Sequence, residues 1–328
     1  MTTTVSPGMA IADRVLNGDS AAVGRAITFI ERGSEHVAPM LQRLYPASGS
    51  ARVIGVTGPP GAGKSTLISV LVTRWRAAGL RVAVLAVDPS SSLTGGALLG
   101  DRIRMSELAT DSGVFIRSMA TRGAVGGLAR AAMDAVTVLD AADYDIVVVE
   151  TVGVGQAEVD VVTLAPTVVV VSVPGLGDGI QALKAGLLEV ADIHIVGKAD
   201  RDGADRTAKD LLESLRLTRR TAGQWNVPVQ LVSAKTGDGI EELLAAIDKH
   251  RSWLETSGEA SRRRHLSARE RLLWAAADEG VRRVAQSPDL AGLIGRVATH
   301  DIDPLTAVRA LLDHATSTPP QPADERGN

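Results

Sequence analysis

The chain of 328 residues contains no cysteine, and only 2% of its residues are aromatic. Without cysteine there can be no disulfide and no thiolate-bound metal, which fits a reducing compartment, so we expect a cytoplasmic protein. Because aromatic side chains are scarce, the core must consist mainly of valine, leucine, isoleucine and alanine. The formal net charge of −3 gives no electrostatic reason to expect nucleic acid as a partner.

Long hydrophobic runs are also missing. The longest, DIVVVETVGV and APTVVVVSVPG, fall well short of the roughly 20 apolar residues that a membrane-spanning helix needs. The first residues, MTTTVSPGMAIADRVLNGD, lack the charged segment followed by an apolar core that is typical of a signal peptide. We therefore expect neither secretion nor membrane insertion, and the apolar runs indicate buried strands.

From Ala51 onward, short β-branched runs alternate with amphipathic helical patterns. Several runs are apolar at nearly every position, as in parallel strands that are covered on both faces. This alternation predicts an α/β fold in which right-handed crossovers join the strands. The predicted strands are RVIGVT, RVAVLAVD, VFIRSM, DIVVVE, TVVVVSV, IHIVG and PVQLVS.

Helical patterns flank the α/β region on both sides. Before it, DSAAVGRAITFIERG has Asp19 or Ser20 as a cap, and after it DPLTAVRALLDHA has Asp303 as a cap and Pro304 in its first turn. The apolar faces of these helices would pack either on a second protomer or on the chain's own α/β domain. We predict four regions: a helical arm (1–50), an α/β domain (51–250), a helical dimerisation extension (251–316) and a disordered tail (317–328).

The strongest motif is GPPGAGKST, which matches the P-loop pattern G-x-x-x-x-G-K-[ST] between a predicted strand and a predicted helix. Glycines let backbone N–H groups turn toward phosphates, and the helix adds its positive N-terminal end. Lys64 should reach the β- and γ-phosphates, and Ser65 should bind Mg²⁺. A chance Lys-Ser after a glycine-rich turn is the alternative. The motif predicts a three-layer P-loop NTPase domain with a mostly parallel sheet, in which phosphates contact Gly58, Pro60, Gly61, Ala62, Gly63, Lys64, Ser65 and Thr66.

Three acidic residues are candidates to support the metal. Asp88 ends RVAVLAVD and Glu150 ends DIVVVE, at strand ends where such sheets bind ligands. Asp101 either joins the metal site or lies on a helix surface. ETVGVGQ resembles the Asp-x-x-Gly switch of GTPases, in which Gly153 would present its N–H to the γ-phosphate. Gln156 is a candidate for positioning the attacking water.

A candidate base-binding loop follows the strand IHIVG. It has Lys-x-Asp where guanine-binding loops have Asn-Lys-x-Asp, with Gly197 at the Asn position. Asp200 can accept hydrogen bonds from the N1–H and 2-amino groups of guanine, a donor pair that adenine lacks. Lys198 can lie along the base, and residues 233–235 match the Ser-Ala-Lys loop of GTPases: Ser233, Ala234 and Lys235. Because Asp200 is retained, the loop favours GTP and GDP over ATP.

In their order, GPPGAGKST, VDPSS, GDRIRM, ETVGVGQ, KAD and SAK resemble the methylmalonyl-CoA mutase-associated GTPases, also labelled lysine/arginine/ornithine transport system kinases. The resemblance covers nearly the whole chain. It implies a homodimeric GTPase that protects an adenosylcobalamin-dependent methylmalonyl-CoA mutase and gates its cofactor loading. It also implies a metal site formed by Ser65, Asp88, Asp101 and Glu150. For the hydrolysis of GTP to GDP and phosphate, we expect catalytic roles for Lys64, Glu150, Gly153 and Gln156.

Three other functions fit a P-loop protein. A metal-insertion GTPase would need a Cys/His cluster, but there is no cysteine and the six histidines are scattered. An ATP-dependent kinase or ATPase of a basic amino-acid transport system is disfavoured because Asp200 would be left unpaired against adenine and no kinase catalytic loop is present. A nucleotide-gated binding module with negligible catalysis would have the same P-loop as an enzyme.

Overall fold

A computed structural model describes residues 6–87, 108–119, 127–151, 161, 163–175, 189–217 and 224–317. All seven predicted strands form one sheet in the order β3-β2-β4-β1-β5-β6-β7, and every neighbouring pair is parallel. The α/β fold with a parallel sheet is thereby confirmed. The strands are β1 (Arg52–Thr57), β2 (Val82–Val87), β3 (Val114–Met119), β4 (Ile146–Thr151), β5 (Thr167–Ser172), β6 (Ile193–Gly197) and β7 (Val229–Val232).

Helices lie before, between and after the strands. A short 3₁₀ turn, Tyr45–Ala47, lies before the first strand. The α-helices are numbered here in chain order: α1 (Pro7–Leu16), α2 (Ser20–Glu31), α3 (Val37–Leu44), α4 (Lys64–Ala77), α5 (Gly127–Ala141), α6 (Ala204–Leu217), α7 (Ile240–Ser257), α8 (Glu259–Gln286), α9 (Leu290–Ala298) and α10 (Pro304–Ser317).

The central strands are buried on both faces, which explains why their sequences are continuously apolar. In β5, Val169 and Val171 join a core cluster with residues of α4 and α7. Val168 and Val170, which point to the other face, join a second cluster with Leu211 of α6. Both clusters consist almost entirely of aliphatic side chains, as the scarcity of aromatic residues predicts.

The strand order reverses direction at β1, which pairs with β4 on one side and with β5 on the other. In open parallel sheets, the crevice at such a reversal lies beyond the carboxyl ends of the strands and is the usual ligand site. The loop after β1 occupies this position and carries GPPGAGKST. The topology therefore places the predicted phosphate loop where a doubly wound sheet binds ligands.

The N-terminal helices pack against α5 and the edge strand β3. Asp19 caps α2 as predicted, accepting hydrogen bonds from the backbone N–H of Ala21 at 2.9 Å and of Ala22 at 3.1 Å. The segment between the 3₁₀ turn and β1 is fixed by the buried Asp140 of α5, whose carboxylate accepts a hydrogen bond from the Gly49 N–H at 2.6 Å. The arm is thus attached to the α/β domain at both of its ends.

Contacts divide the chain into two compact units, Met1–Ala268 and Arg269–Asn328. In the second unit, Asp303 caps α10 by accepting a hydrogen bond from the Thr306 N–H at 3.0 Å, and Pro304 occupies the first helical position. The four-region division at 50, 250 and 316 stays a prediction. None of the helices in the described part of the chain is long and apolar enough to cross a membrane.

Candidate nucleotide-binding site

The loop between β1 and α4 requires glycine for steric reasons. Gly58 has a φ of +142°, and a Cβ atom at this position would lie 2.2 Å from the carbonyl oxygen of Val171 in β5. Gly63 has a φ of +89° immediately before the first residue of α4. Such backbone conformations are costly for residues with a Cβ atom. The glycines therefore let the loop turn tightly against the sheet and end at the N-terminus of α4.

Lys64 is folded back over this loop. Its ammonium group donates hydrogen bonds to the carbonyl oxygens of Gly58 at 2.8 Å and Pro59 at 3.2 Å, and the side chain is buried. These contacts hold a positive charge above the loop, where the P-loop lysine of nucleotide triphosphatases faces the terminal phosphates.

Ser65 and Glu150 form a buried pair beside the loop. The Ser65 hydroxyl donates to Glu150 Oε1 at 2.8 Å, and Glu150 lies in β4 directly opposite Val56 of β1. A hydroxyl and a carboxylate are hard oxygen donors, and Mg²⁺ commonly uses only one or two of them together with waters and phosphate oxygens. The donor set therefore fits Mg²⁺. Among the described residues, no group of three or more His, Cys, Asp or Glu side chains could hold a metal.

The predicted base-binding residues also come together. The Ser233 hydroxyl donates to Asp200 Oδ1 at 2.8 Å, and the Ala199 N–H donates to the carbonyl oxygen of Val232 at 3.1 Å. The hydrogen bond from Ser233 is the main reason why the pKa of Asp200 lies below its usual value, and the charge of Lys235 lowers that pKa further. Asp200 is thus held as an ionised acceptor at the carboxyl edge of the sheet.

Lys198 connects this base-binding loop to the P-loop. It has a φ of +55°, uncommon for a residue other than glycine, and its ammonium group donates to the carbonyl oxygen of Gly61 at 2.6 Å. The sequence suggested only that Lys198 lies along a base, and it gave no sign of this contact. The lysine thereby connects the two loops beside Gly197, the position that holds Asn in guanine-binding loops.

Comparison with known proteins agrees with this arrangement. A family model described as methylmalonyl Co-A mutase-associated GTPase MeaB matches residues 23–289. The chain belongs to the MeaB family of GTPases. A Pyrococcus horikoshii protein with a provisional GTPase name is 45% identical over 92% of this chain and 96% of its own length. The GTPase ArgK of Escherichia coli is 39% identical over 75% of this chain and 76% of its own length.

A solved structure has the same fold over nearly the whole length of this chain. The crystal structure of an LAO/AO transport system kinase is similar with a TM-score of 0.71 and 27% identity, covering 97% of this chain and 100% of that one. The chain is therefore a P-loop GTPase of the MeaB family.

Several predicted site residues of this MeaB-family chain lie outside the described residues: Asp88, Asp101, Gly153 and Gln156. In chain order, Asp88 follows Val87, the last residue of β2. Their roles stay predictions. Of the remaining predicted phosphate contacts, Ala62 is buried beneath the loop, whereas Pro60 and Thr66 are exposed.

The Gly197 position can be tested directly in this GTPase. A Cβ atom there would lie 3.2 Å from Val171 Cγ1 and 3.5 Å from the carbonyl oxygen of Ala62, so Val171 must move by a few tenths of an ångström. An Asn side chain would then reach the P-loop, and one added hydrogen bond is worth about 1 kcal/mol. We expect Gly197→Asn to bind GDP about fivefold more tightly than Gly197→Ala by calorimetry. Equal GDP affinities of the two variants would show that the Asn amide adds nothing to the connection that Lys198 already makes between the two loops.

Proposed function

We propose that the chain is a Mg²⁺-dependent GTPase that acts as a chaperone of an adenosylcobalamin-dependent methylmalonyl-CoA mutase. The observation that carries the guanine assignment is the 2.8 Å contact of Ser233 with Asp200, on a loop that Lys198 ties to the P-loop. The mutase assignment rests on the family to which residues 23–289 belong. The protein would protect the mutase and gate the loading of its cofactor.

Guanine selection follows from the ionised state of Asp200. A carboxylate only accepts hydrogen bonds, so it pairs with the N1–H and 2-amino donors of guanine. Against adenine the same carboxylate would lose its water without gaining a donor, at a cost of several kcal/mol. The Ser233 hydroxyl binds Oδ1 of Asp200 and so does not occupy Oδ2, the oxygen that would face a base.

Hydrolysis would proceed by attack of water on the γ-phosphate, in line with the leaving GDP oxygen. Lys64 would face the β- and γ-phosphates and stabilise the charge that develops on the transferring group. Ser65 and Glu150 would hold Mg²⁺, which neutralises phosphate charge when bound. The rigid glycine loop would keep the nucleotide aligned through its backbone N–H groups.

We also propose that the protein is a homodimer. Large apolar side chains on the C-terminal helices are well exposed: Leu272 of α8 by 71%, and Ile294 of α9 and Leu305 of α10 by 59% each. Exposed apolar groups of this kind support a protein interface. A second protomer would cover them.

The experiment that tests the function measures GTP and ATP hydrolysis with and without adenosylcobalamin-dependent methylmalonyl-CoA mutase. We expect slow hydrolysis of GTP alone, at least tenfold acceleration by the mutase, negligible ATP turnover, and loss of activity when Mg²⁺ is chelated. In parallel, the catalytic lifetime of the mutase should increase when the protein and GTP are present. An unchanged rate and lifetime would reject the chaperone role, and faster ATP turnover would favour the kinase or ATPase alternative.

A further inference from the structure

A second polar centre lies at the amino edge of the sheet, opposite the nucleotide site. Asp192, immediately before β6, is 4% exposed, and its carboxylate is bound by Arg263 in a two-pronged contact of 2.8 and 2.9 Å. The fully buried His250 places Nε2 3.3 Å from Asp192 Oδ1. The Val168 N–H donates to Oδ2 at 2.9 Å. A buried carboxylate with this many donors is held in one position.

Aromatic rings surround the histidine of this centre. Trp225, which precedes β7, donates its indole N–H to the carbonyl oxygen of Asp192 at 2.7 Å. The ring of His250 lies 4.8 Å from that of Trp225 and 5.6 Å from that of Trp253, and its Nδ1 is 3.0 Å from the Thr167 hydroxyl. The centre therefore joins the start of β5, the start of β6, the segment before β7, α7 and α8.

Burial opposes ionisation of Asp192 and is the largest single influence on its pKa. Hydrogen bonds and attraction from His250 and Arg263 outweigh burial, so the pKa lies below its usual value. Glu259 is the other acid near Arg263, at 3.2 Å, and its pKa is also lowered, mainly by Arg262. Asp192 is therefore a charged group whose stability in the interior depends on its partners Arg263, His250 and the Val168 N–H.

Two rigid elements connect this centre to the base-binding loop. Strand β6 runs about 16 Å from Asp192 to the loop that carries Asp200. Helix α7 begins at Ile240, shortly after Ser233, and extends back to His250. The Asp200–Ser233 contact joins the loop after β6 to the loop that leads into α7, and the 3.3 Å contact of Asp192 with His250 joins the start of β6 to α7 itself. These elements form a closed ring, hereafter the β6–α7 ring, with guanine-binding residues at one end and the buried carboxylate at the other.

We propose that Arg263, by holding Asp192 against His250, closes the β6–α7 ring and thereby positions the guanine-binding loop. Packing of the first turns of α8 against Asp192 then increases the affinity for guanine nucleotide, and bound nucleotide stabilises that packing. This inference rests on the proposed guanine site. Arg263 touches no predicted nucleotide contact, so it is a positioning residue.

Arg263 has this effect because it is the side chain through which α8 binds the buried charge of Asp192. Without it, Asp192 must take up a proton or admit water, and either change loosens its hold on His250 and Val168. Because the ring is closed, freedom gained at the Asp192 end lets β6 and α7 shift relative to each other at the Asp200–Ser233 end. Linkage requires the reverse effect to be equal, so bound nucleotide must favour the docked helix by the same factor.

Arg262 provides a matched control, because the adjacent side chain binds Glu259 at 2.6 Å but is 63% exposed and makes no contact with Asp192 in the described structure. We expect release of a fluorescent GDP analogue to be about fivefold faster or more in Arg263→Met than in Arg262→Met. The hydrolysis rate at saturating GTP should match that of the parent. Arg263→Lys, which keeps the charge but loses the two-pronged geometry, should be intermediate.

The decisive measurement is hydrogen exchange of the full-length parent with and without Mg²⁺ and GDP. Residues 259–268 should exchange more slowly with GDP than without it, because bound nucleotide favours the docked helix. No effect of GDP on these residues would overturn the inference, and this test uses only the parent, so it holds even if Arg263→Met fails to fold. Equal release from the two folded variants would also overturn it. Failure of the parent to bind GDP would instead refute the proposed function.

Discussion

Replacing Lys64 by alanine is expected to lower GTP hydrolysis by about a hundredfold to a thousandfold, the usual loss when one group that stabilises transition-state charge is removed. The ammonium group is held over the P-loop by the carbonyl oxygens of Gly58 and Pro59. No other lysine of the described residues contacts those two carbonyl groups. Single-turnover hydrolysis with bound GTP measures the effect separately from nucleotide affinity.

The fold should tolerate the substitution, because Lys64 is the first residue of α4 and alanine favours helix. Lys209→Ala, on the exposed surface of α6, is a suitable control and should keep the parent rate. If Lys64→Ala hydrolysed GTP within a factor of about three of the control, the lysine would not stabilise the transition state. The site would then be better described as a binding module, the alternative that the P-loop sequence alone leaves open.

The sheet could be predicted from sequence because its signals are local. The largely apolar runs of β2, β4 and β5 reflect burial on both faces, and all three are buried at every position. The P-loop was predictable for the same reason, since its glycines, lysine and serine are consecutive.

Contacts between distant residues could not be predicted in this way. Asp192 and Arg263 are separated by 71 positions, and neither lies in a recognisable motif. In the segment SRRRH, Arg263 is directed inward while the adjacent Arg262 stays exposed. The Lys198 contact with Gly61 spans 137 positions. In each case the interaction depends on which strands become neighbours, and the sequence pattern of one segment does not specify its neighbours.

Replacing Asp200 by asparagine is expected to cause the second large effect, a loss of GDP affinity. The amide would place an N–H₂ donor against the donors of guanine, and loss of two hydrogen bonds to a charged acceptor should weaken GDP binding about a hundredfold or more. Xanthine carries an oxygen where guanine has its 2-amino group, so XDP should bind the variant more tightly than GDP. The Ser233 hydroxyl can still donate to the amide oxygen, so the loop should keep its conformation.

Calorimetry of GDP, XDP and ADP with the parent, Asp200→Asn and Asp202→Asn would measure this reversal. Asp202 is an exposed acid in the same segment and should leave GDP binding unchanged when replaced. Because Ser233 lowers the pKa of Asp200, the carboxylate stays ionised as pH falls through its usual range, and its contribution disappears only below that range. The GDP preference of the parent should therefore be constant from about pH 7 to about pH 5. If Asp200→Asn kept the parent preference for GDP, Asp200 would not face the base. The specificity would then have to come from residues outside the predicted loop.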